Sequence, residues 1–178
     1  MYSRIQLFIT EDNNNHFTQR YNYLKNVLFN LLDTPVKSTH HIGGTRHFMY
    51  PTEPILDILV GVNNLHDVTS LDEKRLNYEG LYRLHHPYKK KIVMAQFNNL
   101  IELKQITRLH IIQTDTPLYT DYLEMNNLLA SNSMIAMHFN NIKQRLASHN
   151  VTIRDYEKHK LMLFQQLIEQ TDHKSLLK

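Results

Sequence analysis

The sequence predicts a mixed α/β (α+β) domain: a mixed β-sheet with flanking helices that gives way to a C-terminal helical segment. Three observations lead there. Short runs rich in β-branched residues dominate up to residue 115, helical spacing takes over after Pro117, and no repeat, low-complexity tract or linker separates the two. One domain over 1–178, sheet-rich over 1–115 and helical over 117–172, is the simplest organisation.

Residues 5–9, Ile-Gln-Leu-Phe-Ile, alternate as a strand does, and 12–15 form a polar break. Phe17, Tyr21, Leu24, Leu28 and Leu31 recur at the spacing of an amphipathic helix, which Pro35 limits. Residues 39–42 predict a short strand running into Gly43-Gly44, where the chain must turn. Pro51 and Pro54 bracket a loop. The run 55–62 is short, apolar, β-branched and interrupted late by Gly61, as suits a central strand buried on both faces. A short helix is expected over 68–76 and strands over 80–84, 91–97 and 106–113. Helices are expected over about 119–130, 133–148 and 152–171. In the middle one Ile135, Phe139, Ile142 and Leu146 share a face, and Thr152 with Asp155 has the chemistry of a helix start.

Composition removes several function classes. With 178 residues, 42% hydrophobic and 21% charged, the chain can bury a core and is not of disordered type. It has no cysteine, which excludes disulfides, thiolate metal sites and thiol nucleophiles. Residues 1–10 show no basic segment followed by an apolar run, and no stretch approaches membrane-spanning length, so a cytoplasmic protein with no membrane partner is expected. The formal charge of +3 is a small excess, and the only sharp basic cluster is Lys89-Lys90-Lys91, so nucleic acid is not the favoured partner.

One constellation carries chemistry. His40-His41-Ile42-Gly43-Gly44-Thr45 precedes Asp57, which sits inside the apolar run Ile55-Leu56-Asp57-Ile58-Leu59-Val60. A carboxylate in an apolar strand needs a partner or a metal to offset desolvation. A glycine pair lets the backbone approach a ligand closely, and its N–H groups suit a phosphate. Together these are the parts of a nucleotidyltransferase site, in which a Gly-rich turn holds a triphosphate and strand carboxylates hold Mg²⁺ or Mn²⁺.

At these residues the chain resembles the GrpB family, whose core reads roughly His-Ile-Gly-Ser-Thr and then Lys-Pro-Ile-Ile-Asp-Ile. Here the matching residues are His41-Ile42-Gly43-Gly44-Thr45 and Glu53-Pro54-Ile55-Leu56-Asp57-Ile58. The likeness continues through Leu76-Asn77-Tyr78-Glu79, Arg108-Leu109-His110, the segment 121–132, and Lys143-Gln144-Arg145-Leu146-Ala147 with Tyr156 and Lys160, covering about 17–170. It implies a nucleotidyltransferase-like fold. Departures fall around the expected cleft: Glu53 replaces a lysine, Phe48-Met49 a Pro-Gly, His40 an acidic residue, and Asn126-Asn127 an Arg-Asp pair. They bear on inherited activity rather than on the fold.

The expected site therefore has Asp57, His41 and His110 as catalytic candidates, with Asp57 as the metal ligand. Gly43, Gly44, Thr45, Arg108, Lys89 and Lys91 are the candidates for holding substrate, a nucleotide or nucleotide-containing small molecule. A histidine would orient the acceptor. Active transferases pair carboxylates at i and i+2 on one strand face, and here that second position is Leu59. Hence two alternatives stand beside a working transferase: a non-catalytic binding or interaction module, and a metallohydrolase in which His41, Asp57 and His110 converge.

Overall fold

The structure, a computed structural model, describes residues 5–85, 90–148 and 152–175. Its sheet has five strands, β1 (Val36–Ile42), β2 (Leu56–Val62), β3 (Leu81–Arg83), β4 (Lys91–Phe97) and β5 (Gln105–Gln113), in the order β1-β2-β5-β4-β3. β2 and β5 run parallel at the centre, and the other pairs are antiparallel. Helices α1 (His16–Phe29), α2 (Gly44–His47) and α3 (Ser70–Tyr78) belong to the first half, and α4 (Pro117–Ser131), α5 (Ser133–Ser148) and α6 (Ile153–Ser175) follow the sheet. The expected α+β architecture, a mixed sheet with flanking helices and a helical C-terminal segment, is the one observed.

β2 is apolar along nearly its whole length because both of its faces are covered. Leu56, Ile58, Val60 and Val62 pack with Leu109, Ile111 and Met94 on one face, joined there by Phe17, Leu24 and Leu28 of α1 and Leu76 of α3. Ile42, Leu59 and Ile112 face the other way, against Tyr119 of α4. Beyond them a third cluster, including Met125, Leu129, Phe139, Leu163 and Leu167, binds α4, α5 and α6 together. Among the described residues no helix is long and apolar enough to cross a membrane.

Local chemistry accounts for the element ends. Thr69 and Asp72 form a reciprocal capping box that starts α3 at Ser70 rather than at 68. Thr116 caps α4, with Pro117 in its first turn. The Thr152 hydroxyl accepts from Asp155 N–H at 3.2 Å, the helix start expected there. β4 and α5 have the expected bounds, whereas β1 begins at Val36, three residues early, across an irregularity between Val36 and Ser38.

One expectation fails. Residues 5–9 form no strand; only Ile9 pairs, with Thr52, through backbone hydrogen bonds of 2.8 and 2.9 Å. Thr52 lies between Pro51 and Pro54, so the facing loop has too few N–H donors to extend a ladder beyond that rung.

Candidate functional site

The parallel register of β2 and β5 sets Asp57 beside Arg108 and Leu59 beside His110. Alternation along each strand then puts Asp57, Arg108 and His110 on the face that looks toward the C-terminal helices. Arg108 grips Asp57 with two hydrogen bonds, Nε to Oδ1 at 2.7 Å and Nη2 to Oδ2 at 3.0 Å. His110 Nε2 lies 3.0 Å from Asp57 Oδ1. Burial pushes the Asp57 carboxyl up, but the Arg108 guanidinium and the His110 hydrogen bond outweigh it and hold the carboxyl well below the usual range. Burial, reinforced by the neighbouring Lys91 and Arg108 cations, lowers His110 despite Asp57, so its imidazole is neutral near pH 7.

From Arg108 a ladder of alternating charge crosses to the helices. Arg108 Nη1 reaches Glu157 Oε1 at 3.5 Å, and Lys160 Nζ bridges Glu157 at 2.9 Å and Glu53 at 3.2 Å. Glu53 also accepts from Lys143 Nζ at 2.7 Å and from the Tyr156 hydroxyl at 2.6 Å. Lys143 lies over the rings of Phe8 and Tyr50 at 4.6 and 5.0 Å. Burial raises the Glu53 carboxyl, yet Lys160 and Lys143 together keep it well below its ordinary value. Glu53 thus anchors α5 and α6 to the loop before β2. One sign of this was legible: Lys143 follows Phe139 by one helical turn, and a lysine on an apolar stripe needs a buried anion.

The glycine turn is built for close packing. Gly43 has φ +77°, and a Cβ there would sit 3.3 Å from Asp57 Oδ2. At Gly44 a Cβ would come within 2.3 Å of Thr52 Oγ1. The Gly43 N–H, one of the donors expected to face phosphate, instead donates to Asn126 Oδ1 of α4 at 3.0 Å. One of the asparagines standing for the family's Arg-Asp pair is therefore a structural partner of the turn.

His41 goes elsewhere. It pairs with Ile58 rather than with Asp57, so its ring enters the opposite face of the sheet, stacked on Tyr21 at 5.5 Å. Its Nε2 is 3.1 Å from the Thr45 hydroxyl, which donates to Ile55 O at 3.0 Å. Burial, with help from Arg46, lowers its pKa to about 4. The convergence of His41, Asp57 and His110 required by a metallohydrolase does not form, because His41 and Asp57 occupy opposite pleats.

Between the sheet face and the helices lies a cavity of about 440 Å³. Of the expected residues, Gly43, Gly44, Asp57, Lys91, Arg108 and His110 line it; His41 and Thr45 do not, and Lys89 lies outside the described residues. Five cationic side chains (Lys91, Lys104, Arg108, Lys143, Lys160) border it against three carboxylates (Glu53, Asp57, Glu157), and Tyr50, Tyr122, Met125 and Phe164 supply apolar wall. Lys91 Nζ donates to the Tyr122 hydroxyl at 2.8 Å, and burial lowers the lysine's pKa to about 8.

The donor set does not suit Mg²⁺ or Mn²⁺. Both Asp57 oxygens face Arg108 or His110, position i+2 is the fully buried Leu59, and Glu53 is enclosed by two lysines and a tyrosine. Among the described residues no group of three or more His, Asp or Glu is placed to hold a metal ion.

Likeness to known proteins extends over nearly the whole chain. The family model described as GrpB protein matches residues 8–170. The glutamate-rich protein GrpB of Alkalihalophilus pseudofirmus is 28% identical over 124 residues, which cover 69% of this chain and 71% of that protein. The crystal structure of conserved protein GrpB from Enterococcus faecalis superposes with a TM-score of 0.72 at 20% identity, over 91% of this chain and 98% of that one. A weaker likeness, with a TM-score of 0.42 and 13% identity, extends to the Cid1 poly(U) polymerase over 75% of this chain and 43% of that one. The match over residues 8–170 takes in the glycine turn, Asp57, Arg108, His110 and the Glu53 anchor, and by it the chain belongs to the GrpB family.

Proposed function

We propose that this protein binds a nucleotide or nucleotide-containing small molecule in the cavity between the sheet and α4–α6, without a metal ion. The surplus of cationic side chains around that 440 Å³ space carries the reading. An anionic group gains from Arg108 and Lys91, Lys104 being paired with Glu102 at 3.0 Å, and an apolar or aromatic body gains from Tyr50, Tyr122 and Phe164. The glycine turn shapes the wall by bringing the backbone against Asp57.

Binding without nucleotidyl transfer is the better supported form. Two-metal phosphoryl transfer needs several oxygen ligands on one face, and Asp57 is already committed to Arg108. The test is thermal stabilisation by ATP, GTP, CTP, UTP and coenzyme A, each with EDTA and then with Mg²⁺ or Mn²⁺, in wild type and Lys91→Met. A ligand at about 100 times its Kd adds roughly 2.7 kcal/mol, a shift of several degrees, in EDTA as well as with metal and smaller in the variant. No shift with any of these ligands overturns the reading. Stabilisation only with metal, or label transferred from an NTP to an acceptor, restores the transferase.

A further inference from the structure

We infer that a charged oxygen of the ligand binds between Arg108 Nη1 and Lys160 Nζ, at the point now held by Glu157 Oε1, and that Glu157 is an internal plug which the ligand displaces. The group recognised is an oxyanion, phosphate or carboxylate. This deepens the reading above and rests on the cavity being an anion site.

The position follows from how Arg108 spends its donors. Nε and Nη2 hold Asp57 at 2.7 and 3.0 Å, which leaves Nη1 turned to Glu157. There Glu157 Oε1 lies 3.5 Å from Nη1 and 2.9 Å from Lys160 Nζ. Two cations, one on β5 and one on α6, thus converge on a single carboxylate oxygen, and all three side chains line the cavity. Arginine and lysine hold the oxygen of a bound phosphate or carboxylate in the same way.

Glu157 is the occupant able to leave. Charge-assisted N–H···O bonds are normally about 2.7–2.9 Å long, so its 3.5 Å contact with Arg108 is loose. The Glu157 side chain is 39% exposed, against 14% for Arg108 and 18% for Lys160, so it can turn into water without crossing the core. Its bond to Lys160 is an i,i+3 pair on one helix, a kind that adds little when one member is solvent-exposed. Asp57 lacks this freedom, being doubly bonded to Arg108, 17% exposed and fixed on β2. When Glu157 turns out, Arg108 keeps Asp57 and Lys160 keeps Glu53 at 3.2 Å, so the anchors of the fold survive. Within the ladder Arg108, Lys160 and Lys143 then stand against Asp57 and Glu53, and an oxyanion from the ligand restores the charge that Glu157 supplied.

The experiment measures the affinity of inorganic pyrophosphate and of ATP, both in EDTA, by calorimetry on the full chain as wild type, Glu157→Gln and Glu157→Asp. Glutamine removes the charge of the plug. Aspartate keeps that charge but is one methylene shorter, so it no longer reaches Arg108 Nη1. Apparent affinity scales with the fraction of molecules whose site is open, so a plug seated in roughly nine molecules of ten weakens binding about tenfold. Both variants should therefore bind pyrophosphate about tenfold more tightly than wild type. A gain in Glu157→Gln alone reports only the loss of a nearby negative charge and overturns the plug, as does unchanged or weaker binding in both variants. If wild type binds ATP and neither variant gains, this inference falls and nucleotide binding stands. If pyrophosphate shows the gain and ATP binds none of the three proteins, the nucleotide reading falls and this one stands; if neither probe binds any of them, both fall. Should Glu157→Gln not fold, Glu157→Asp decides by itself.

Discussion

The Lys143 ammonium, only 2% exposed, lies 2.7 Å from Glu53 Oε2 and fastens α5 to the loop that leads into β2. Such a pair adds little over an apolar pair of the same volume, but breaking it leaves buried Glu53 with only Lys160 and the Tyr156 hydroxyl as partners. Lys143→Met should therefore lower stability by about 1–3 kcal/mol, the cost of a buried group left short of a partner, while Lys143→Met combined with Glu53→Gln should recover part of that loss. Urea denaturation of the singles and the double gives the coupling. Singles that cost under about 1 kcal/mol would mean the lysine finds water.

Asp57→Asn separates an anion site from a metal site. The substitution removes the carboxylate that competes for Arg108, so nucleotide affinity should hold or rise, whereas a metal-ligating Asp57 would take binding away with it. Stability should fall, since Arg108 then lacks its main counter-charge. The acid limb changes as well. With the folded carboxyl depressed, its contribution is complete above the unfolded value of about 3.9 and is lost as pH falls toward the folded one. Wild type should lose stability below about pH 5 more steeply than the variant. Parallel limbs in a pH series of urea melts would remove Asp57 from that account.

The faces of β2 and β5 were readable from residue types; the face of β1, where His41 turns away from the expected cleft, and the pairing between strands were not. Arg108 and His110 could be assigned to one face and to one anion, but that the anion is Asp57 itself depends on the β2–β5 register, which no local pattern encodes. Glu53 read as a departure in a loop because its partners come from α5 and α6, some 90 and 107 residues away. β4 and α5 were legible to the residue because turn chemistry and helical period mark both ends. The segment 5–9 had the right alternation and no partner with enough N–H groups.

His41 should make the protein acid-sensitive in a higher window than the carboxylates do. Its folded pKa of about 4 lies below the ordinary 6.5, so the unfolded chain binds the extra proton. Stability is then complete above the ordinary value and is lost as pH falls from about 6.5 toward 4, by up to ~3 kcal/mol. His47, also lowered to about 4 by burial, adds to the same slope. His41→Gln keeps a donor toward Thr45 and cannot titrate, so it should flatten part of the slope between pH 6.5 and 4. An unchanged slope would place the acid sensitivity elsewhere.

Gly44 and Gly43 should fail for different reasons when given a methyl group. At Gly44 a Cβ would lie 2.3 Å from Thr52 Oγ1 and 2.4 Å from Thr52 Cβ, and Thr52 is held by its backbone pairing with Ile9, so the turn must move as a whole. Gly44→Ala should cost about 1–3 kcal/mol and disturb the Gly43 contact with Asn126. Gly43→Ala meets only the Asp57 side chain, at 3.3 Å from Oδ2, but it must also adopt φ +77°, a cost of about 1–3 kcal/mol that falls beside the carboxylate Arg108 grips. Gly43→Ala should therefore weaken nucleotide binding more than Gly44→Ala does at equal loss of stability. Comparing ATP affinity with urea midpoints for the two variants checks this, and equal affinities would leave the turn with a structural role alone.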